Sequence, residues 1–480
     1  MKRKFFTNLL LLLTLNLLIK PFWILGIDRT VQNVLGAEDY GMYFSLFNFS
    51  LVLNIFLDLG ITNFNNRSIA RHRQLLPKYL SYLVSLKFLL AIFYAFICLL
   101  VAFVVGYNER QIHLLYFLIF NQFLVSLILY LRSNISALHF FRTDSFLSVL
   151  DRTLMIVLCS MLLFTNWLGG YFSIEWFVYA QTLAYGIAML TSLGFVIFYS
   201  GAFRLRFNWR IYASFLRQSF PFALLVLFMS VYSRVDSVLL ERFLPENGSV
   251  QAGIYAQAFR LQDAAAMIGL LFAGLLLPMF SRMLKKKEEI DHLLRFSTEL
   301  IMVPTILIMV ISNFYSAEIM ALLYHQHTAE SAGLFAKLMI GFGGISVTYI
   351  FGTLLTANGN LKILNLLALG FMVFNVGLNS LLIPRMQAEG AALVAMLTQL
   401  GIAVAQILLV LKYFKLKLNY LLLLRFAGFC LFTVLAGKIS LFFENWLLGA
   451  FSVLFFGSIY AMLVKLLNLR ALLEILNEKT

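Results

Sequence analysis

The chain has 480 residues, of which 61% are hydrophobic and only 12% charged. A water-soluble domain carries about 25% charged residues and is roughly half apolar, so this composition excludes a soluble enzyme or a soluble binding domain. The net charge of +15 sits on Lys and Arg residues placed between hydrophobic runs, which is a pattern of membrane orientation and not of nucleic-acid binding.

The N-terminus, "MKRKFFTNLLLLLTLNLLIK", has the basic start and apolar core of a signal peptide. The first alanine is Ala37, so no small-residue cleavage site follows, and the stretch is read as an uncleaved first span near 8–27. A span needs about 20 mostly apolar residues; five more are predicted near 40–62, 79–106, 112–138, 145–166 and 172–199. The basic stretch "RLRFNWR" separates these from a second set near 215–241, 251–283, 291–316, 330–356, 361–383 and 388–411. Two further spans are predicted near 419–442 and 446–467.

The charges orient these spans. With both termini cytoplasmic, 24 cations fall on inner segments, among them Arg67, Arg71, Arg73, Arg204, Arg206, Lys285, Lys286, Lys417, Arg470 and Lys479, against four outside: Arg29, Arg110, Arg242 and Arg385. Positive charge is retained on the cytoplasmic side, so the asymmetry supports both the span count and the orientation. Every connecting segment is short, leaving no room for an extramembrane catalytic domain.

Gly36, Gly41, Tyr43 and Phe47 recur 212 residues later, with identical spacing, as Gly248, Gly253, Tyr255 and Phe259. Both copies fall at a predicted outer loop and the start of the next span, six spans apart. An even offset preserves orientation, so the expectation is a parallel repeat about an axis along the membrane normal. The predicted fold is an all-α integral membrane protein of about 14 transmembrane helices. It comprises a six-helix lobe over 1–213, a second over 214–413, and two extra helices with a cytoplasmic tail over 414–480.

Cys98, Cys159 and Cys430 lie in apolar runs without ligand spacing and are read as packing residues. His325 and His327 have no carboxylate or cysteine company in sequence, so no metal is expected. "AGKIS" at 436–440 has Phe432 where a phosphate-binding loop needs its first glycine, so neither ATP hydrolysis nor any other cofactor is expected.

Nine cations remain inside predicted spans, where a charge facing lipid costs about 2.5–3.5 kcal/mol on an insertion scale. Arg152, Lys337, Arg425 and Lys438 fall near predicted span ends, where snorkelling accounts for them; Lys87 and Arg132 are intermediate. Lys20, Arg234 and Arg260 are expected in the outer half of spans 1, 7 and 8, as a cationic lining for a diphosphate or an acidic sugar. Lys20 precedes Pro21, which can kink the helix. The competing reading is internal pairing: Arg260 and Asp263 share a helix face at i, i+3, and Asp236, two residues from Arg234, needs its own partner. Asp58 is open between capping or packing and gating.

"VLGAEDYGMYFSLFNFSLVLNIFLDLGITNFNNRSIAR" resembles the opening of the polysaccharide-biosynthesis (O-antigen type) flippases, within the multidrug/oligosaccharidyl-lipid/polysaccharide exporter superfamily. The resemblance continues in "SFPFALLVLFMSVYSRVDSVLL", "AGIYAQAFRL" and "NVGLNSLLIPRMQAEGAALVAM". One departure is Gln32-Asn33, where the family often has an arginine before Leu-Gly. The resemblance implies two lobes around a central cavity and no enzymatic activity. It also implies flipping of a lipid-linked oligosaccharide, typically on an undecaprenyl diphosphate carrier, across a bacterial inner membrane, in company with a glycan polymerase. With the cell interior negative, outward movement of negative charge releases about 2.3 kcal/mol per charge per 100 mV; Na⁺ or H⁺ coupling would add to it. The rival is a cation-coupled multidrug exporter of the same superfamily, which needs intramembrane carboxylates. Predicted span 1 holds Lys20 and no acid, whereas span 7 holds Asp236.

Overall fold

The computed structural model describes residues 2–62, 65, 69, 74, 76–138, 140–165, 171–200, 204–416 and 419–467. Arg67, Arg71, Arg73, Lys417, Arg470 and Lys479, expected on inner segments, lie outside the described residues. Among those described, the fold is all-α, with fourteen α-helices and no strand. Twelve apolar stretches are long enough to cross a bilayer. Two of them, Leu11–Leu57 with 47 residues and Leu361–Phe414 with 54, extend about 70–80 Å at 1.5 Å per residue. That is more than twice a hydrocarbon core of about 30 Å, and each contains a reversal, so the described residues make fourteen crossings. Its contacts divide it into two compact units, Met1–Gly253 and Ile254–Thr480.

In the first unit, α1 (Lys2–Phe22) contains Pro21 and passes directly into a π-helical stretch, Trp23–Asp28. Proline lacks an N–H and displaces the carbonyl four residues back, so the ladder re-registers just beyond it. The helix α2 (Arg29–Leu53) follows without a loop, and the chain turns at Gly36, with φ 79° and ψ 175°, a conformation open to glycine alone. A 3₁₀ turn, Asn54–Leu57, ends α2, and Leu59 (φ 45°) and Gly60 (φ 81°) break the helix. Then come α3 (Leu76–Val105), α4 (Glu109–Ala137), α5 (Phe141–Phe164), α6 (Ile174–Ser200) and α7 (Trp209–Phe243). The start of α4 is fixed by a capping box, in which the Asn108 side chain accepts from Gln111 N–H and the Gln111 side chain accepts from Asn108 N–H, both at 2.9 Å. Leu83, Leu86, Tyr130, Leu147, Val196 and Phe215 pack a core shared by α3 to α7.

α8 (Gly248–Lys286) starts in the first unit and continues into the second. The second unit holds α9 (Asp291–Phe314), α10 (Ser316–Leu323), α11 (Thr328–Ala357), α12 (Leu361–Phe414), α13 (Tyr420–Ser440) and α14 (Trp446–Leu463). Its long helix, α12, reverses just after Pro384, at Gln387 (φ 53°, ψ −135°). Lipid tails are as apolar as leucine, so helices in a bilayer associate through close backbone approach and interhelical hydrogen bonds. Gly341 and Gly344 of α11 accordingly lie against the α12 backbone at Met396 and at Gln399–Leu400. The last two helices pack on α9 through Val303, Ile306, Leu307, Phe429 and Val453. Tyr315 Oη donates to Ser440 Oγ at 2.7 Å beside them.

Candidate functional site

The repeated glycines meet each other. A side chain on Gly41 would collide with the Ser249 carbonyl and with Gly253 N, and one on Gly253 would collide with the Ala37 carbonyl. Ala37–Gly41 of the first copy and Ser249–Gly253 of the second therefore cross backbone to backbone within the first unit. From this crossing α2 runs antiparallel to α7. Ser45 Oγ donates to Glu241 Oε2 at 2.6 Å, and Asn48 Nδ2 to Ser237 Oγ at 2.9 Å. Glu241, 8% exposed, also accepts from the Gln111 amide, and the neighbouring Arg242 guanidinium lies 4.0 Å from the centre of the Tyr107 ring. Burial raises the Tyr107 phenol well above its ordinary pKa.

Beyond Asn48 the two helices part, and a cavity of about 530 Å³ opens between them. Asn54, Asp58, Thr62 and Ser126 line one side, and Phe222, Val226 and Ser230 of α7 the other. Under its wall lies an ion pair. Lys87, 1% exposed, donates to Asp58 Oδ1 at 2.5 Å, Ser126 Oγ at 2.8 Å and the Leu57 carbonyl at 3.1 Å. Asp58 also accepts from the backbone N–H of Thr62 at 3.3 Å and from its hydroxyl. Removing one partner of a buried pair typically costs about 3–5 kcal/mol. The helix break brings Asp58 and Lys87 together as each other's charge partner.

A second polar cluster lies on α1, α4 and α5. Asn16 Nδ2 donates to Ser148 Oγ at 2.9 Å, and one turn further along each helix stand Lys20 and Arg152. Arg152 is mid-helix, not near the end of a span: α5 starts at Phe141, four residues before the span predicted from hydropathy. Its guanidinium lies 5.8 Å from the ring centres of both Trp23 and Tyr185, and 3.5 Å from Asp151, within the range of favourable cation–aromatic attraction. On α4, Arg132 donates to Asp144 at 2.8 Å.

The first crossing also contains an acid that the sequence reading placed outside it. The π-helical stretch carries the span past residue 27, and Asp28 is 1% exposed. Tyr40 Oη donates to both of its carboxylate oxygens, at 3.0 and 2.9 Å, and Gln32 Nε2 lies 3.5 Å away. Its position just after the predicted end of a span was the signal available for it.

Arg234, half-buried, and Asp236, fully buried, stand on α7 in the first unit; Arg260 and Asp263, both half-buried, stand on α8 in the second. All four take part in side-chain interactions. In the second unit Asn375 Nδ2 donates to Thr398 Oγ1 at 3.3 Å, joining the two halves of α12, and Asn379 Nδ2 donates to Asn375 Oδ1 at 3.1 Å within the first half. A cavity of about 640 Å³ in this unit is walled by aliphatic and aromatic residues of α12, with Lys412 as its one charged lining residue.

Solved structures with this fold are transporters. "Lipid II flippase MurJ, inward closed conformation" aligns over 92% of this chain and 96% of its own at 14% identity, with a TM-score of 0.71. The Vibrio cholerae MATE transporter VcmN in the bent form aligns over 85% and 96% at 17% identity, with a TM-score of 0.55. An inward-facing multidrug resistance MATE family transporter of the MOP superfamily aligns over 82% and 93% at 15% identity, with a TM-score of 0.60. At these identities the likeness establishes the fold. No curated protein sequence matches the chain. The model of the family described as "Polysaccharide biosynthesis protein" matches residues 6–284. That is more than half of the chain, beginning in α1 and including the glycine crossing, the ion pair under the cavity and the α1–α5 cation cluster, and the chain belongs to this polysaccharide-biosynthesis family.

Proposed function

We propose that the protein is a flippase that moves a polyprenyl-diphosphate-linked oligosaccharide from the cytoplasmic to the outer leaflet, by alternating access around a cationic cavity. The observation that carries this reading is the hydrogen bond between Asn16 and Ser148, which joins the helices that carry Lys20 and Arg152 one turn further on. Two cations on neighbouring helices, one of them flanked by the aromatic rings of Trp23 and Tyr185, suit a diphosphate or an acidic sugar. Arg234 and Arg260 extend the cationic lining. Asp236 and Asp263 act as their ion-pair partners or in coupling to Na⁺ or H⁺, and Asp58 is already paired with Lys87. The lobes are 1–213 and 214–413, with 414–480 appended; both termini face the cytoplasm of a bacterial inner membrane, and a glycan polymerase consumes the product. The membrane potential favours export of the diphosphate by about 2.3 kcal/mol per charge per 100 mV.

The test is accumulation of lipid-linked glycan in cells that depend on this chain for export. Lys20→Ala and Arg152→Ala, each at normal membrane abundance, should slow export at least roughly tenfold, as expected for loss of a buried charge contact. Normal export by both would end the reading.

A second reading, a cation-coupled multidrug exporter, is favoured by Asp28, a buried carboxylate in the first crossing. It requires that expression raise tolerance to several cationic drugs in a pump-deficient host, and that Asp28→Asn abolish that tolerance.

A further inference from the structure

We propose that Lys87 is a tethered cation occupying a latent site for a monovalent metal ion at the break in the second crossing. In an unbroken helix the Leu57 carbonyl would accept the N–H of Ile61, four residues on. Here Ile61 N–H donates to the Asp58 carbonyl at 2.8 Å instead, and Leu57 O is released from the ladder. A freed carbonyl inside a membrane needs a partner. Lys87 Nζ supplies one at 3.1 Å and Ser126 Oγ another at 3.3 Å.

The ammonium has three hydrogens, and three oxygens converge on it: Leu57 O, Asp58 Oδ1 and Ser126 Oγ. A carbonyl from an unwound helix, a carboxylate and a hydroxyl are the ligand types with which transporters hold Na⁺ at helix breaks, and hard cations prefer such oxygens. Lys87 reaches them from α3, and Tyr130 closes the far side with its ring centre 5.9 Å from Nζ. Asp58 is 26% exposed and, like Ser126, lines the 530 Å³ cavity, so solvent reaches the oxygens once the lysine is gone. Because the charge is covalently attached, the break is held without drawing on an ion gradient. This goes beyond the flippase reading and does not depend on the substrate.

The experiment is thermal unfolding of the full-length protein in detergent, in sodium, potassium or choline chloride at equal ionic strength. Wild type sets the baseline difference between salts. Lys87→Ala should be destabilised in choline and regain roughly 5 °C more than wild type on transfer to saturating sodium or potassium. That extra increment should vanish in Lys87→Ala/Asp58→Asn, which lacks the carboxylate. An increment in Lys87→Ala equal to that of wild type, or one that survives in the double variant, overturns the proposal. If Lys87→Ala cannot be recovered in any of the three salts, no solvent cation replaces the ammonium, and the proposal fails as well.

Discussion

Gly41→Ala tests the crossing of the two motif copies. The added methyl would lie inside the Ser249 carbonyl oxygen, 2.5 Å from Gly253 N and 2.9 Å from Ser249 C. Ordinary carbon contacts need about 3.5–4.0 Å, so the backbones must separate by about 1 Å or more. Ser45–Glu241 at 2.6 Å and Asn48–Ser237 at 2.9 Å lie one to two turns away and would stretch past the useful range of about 3.2 Å. Overpacking costs about 1–3 kcal/mol and two buried hydrogen bonds about 0.5–1.5 kcal/mol each, so the loss is roughly 2–6 kcal/mol. Gly253→Ala acts on the same crossing, so the double variant should cost clearly less than the sum of the singles. Gly333→Ala, on α11 with nothing within 4 Å of the added carbon, should instead stabilise by up to about 1 kcal/mol through helix propensity. The assay is equilibrium unfolding in mixed micelles. Wild-type midpoints for Gly41→Ala and Gly253→Ala, or strictly additive losses, would refute the reasoning.

Two further outcomes are expected. Reporter fusions after residues 208, 288 and 415 should read cytoplasmic and those after 246 and 386 external, following the distribution of cations; a cytoplasmic signal at 246 would reverse the proposed direction of α7. Arg260→Glu should abolish glycan export at normal protein level if Arg260 meets the substrate, whereas under internal pairing Arg260→Ala should lower protein level and Asp263→Ala on that background should restore it.

The sequence by itself determined the class, the number of crossings and the family. Desolvating a polar backbone in lipid is so costly that apolar runs of span length have few alternatives to a helix, and a run of 47 or 54 residues must cross twice. The motif repeat was equally visible at Gly41 and Gly253, because a position that tolerates no side chain is a property of single residues. Tertiary structure decided what those residues meet. That the two copies pack on one another follows from helix direction and register, which no window of sequence contains. Arg152 and Asp28 were misplaced because hydropathy locates the edge of a span only to within several residues, and a shift of four moved an end residue to mid-helix. Lys87 and Asp58 are 29 residues apart, one on a helix and the other in a helix break. Their partnership depends on the break after Leu57, where a released carbonyl, a carboxylate and a hydroxyl converge on one ammonium. Local composition records the desolvation cost of each charge, but only the packed helices bring together the oxygens that offset it.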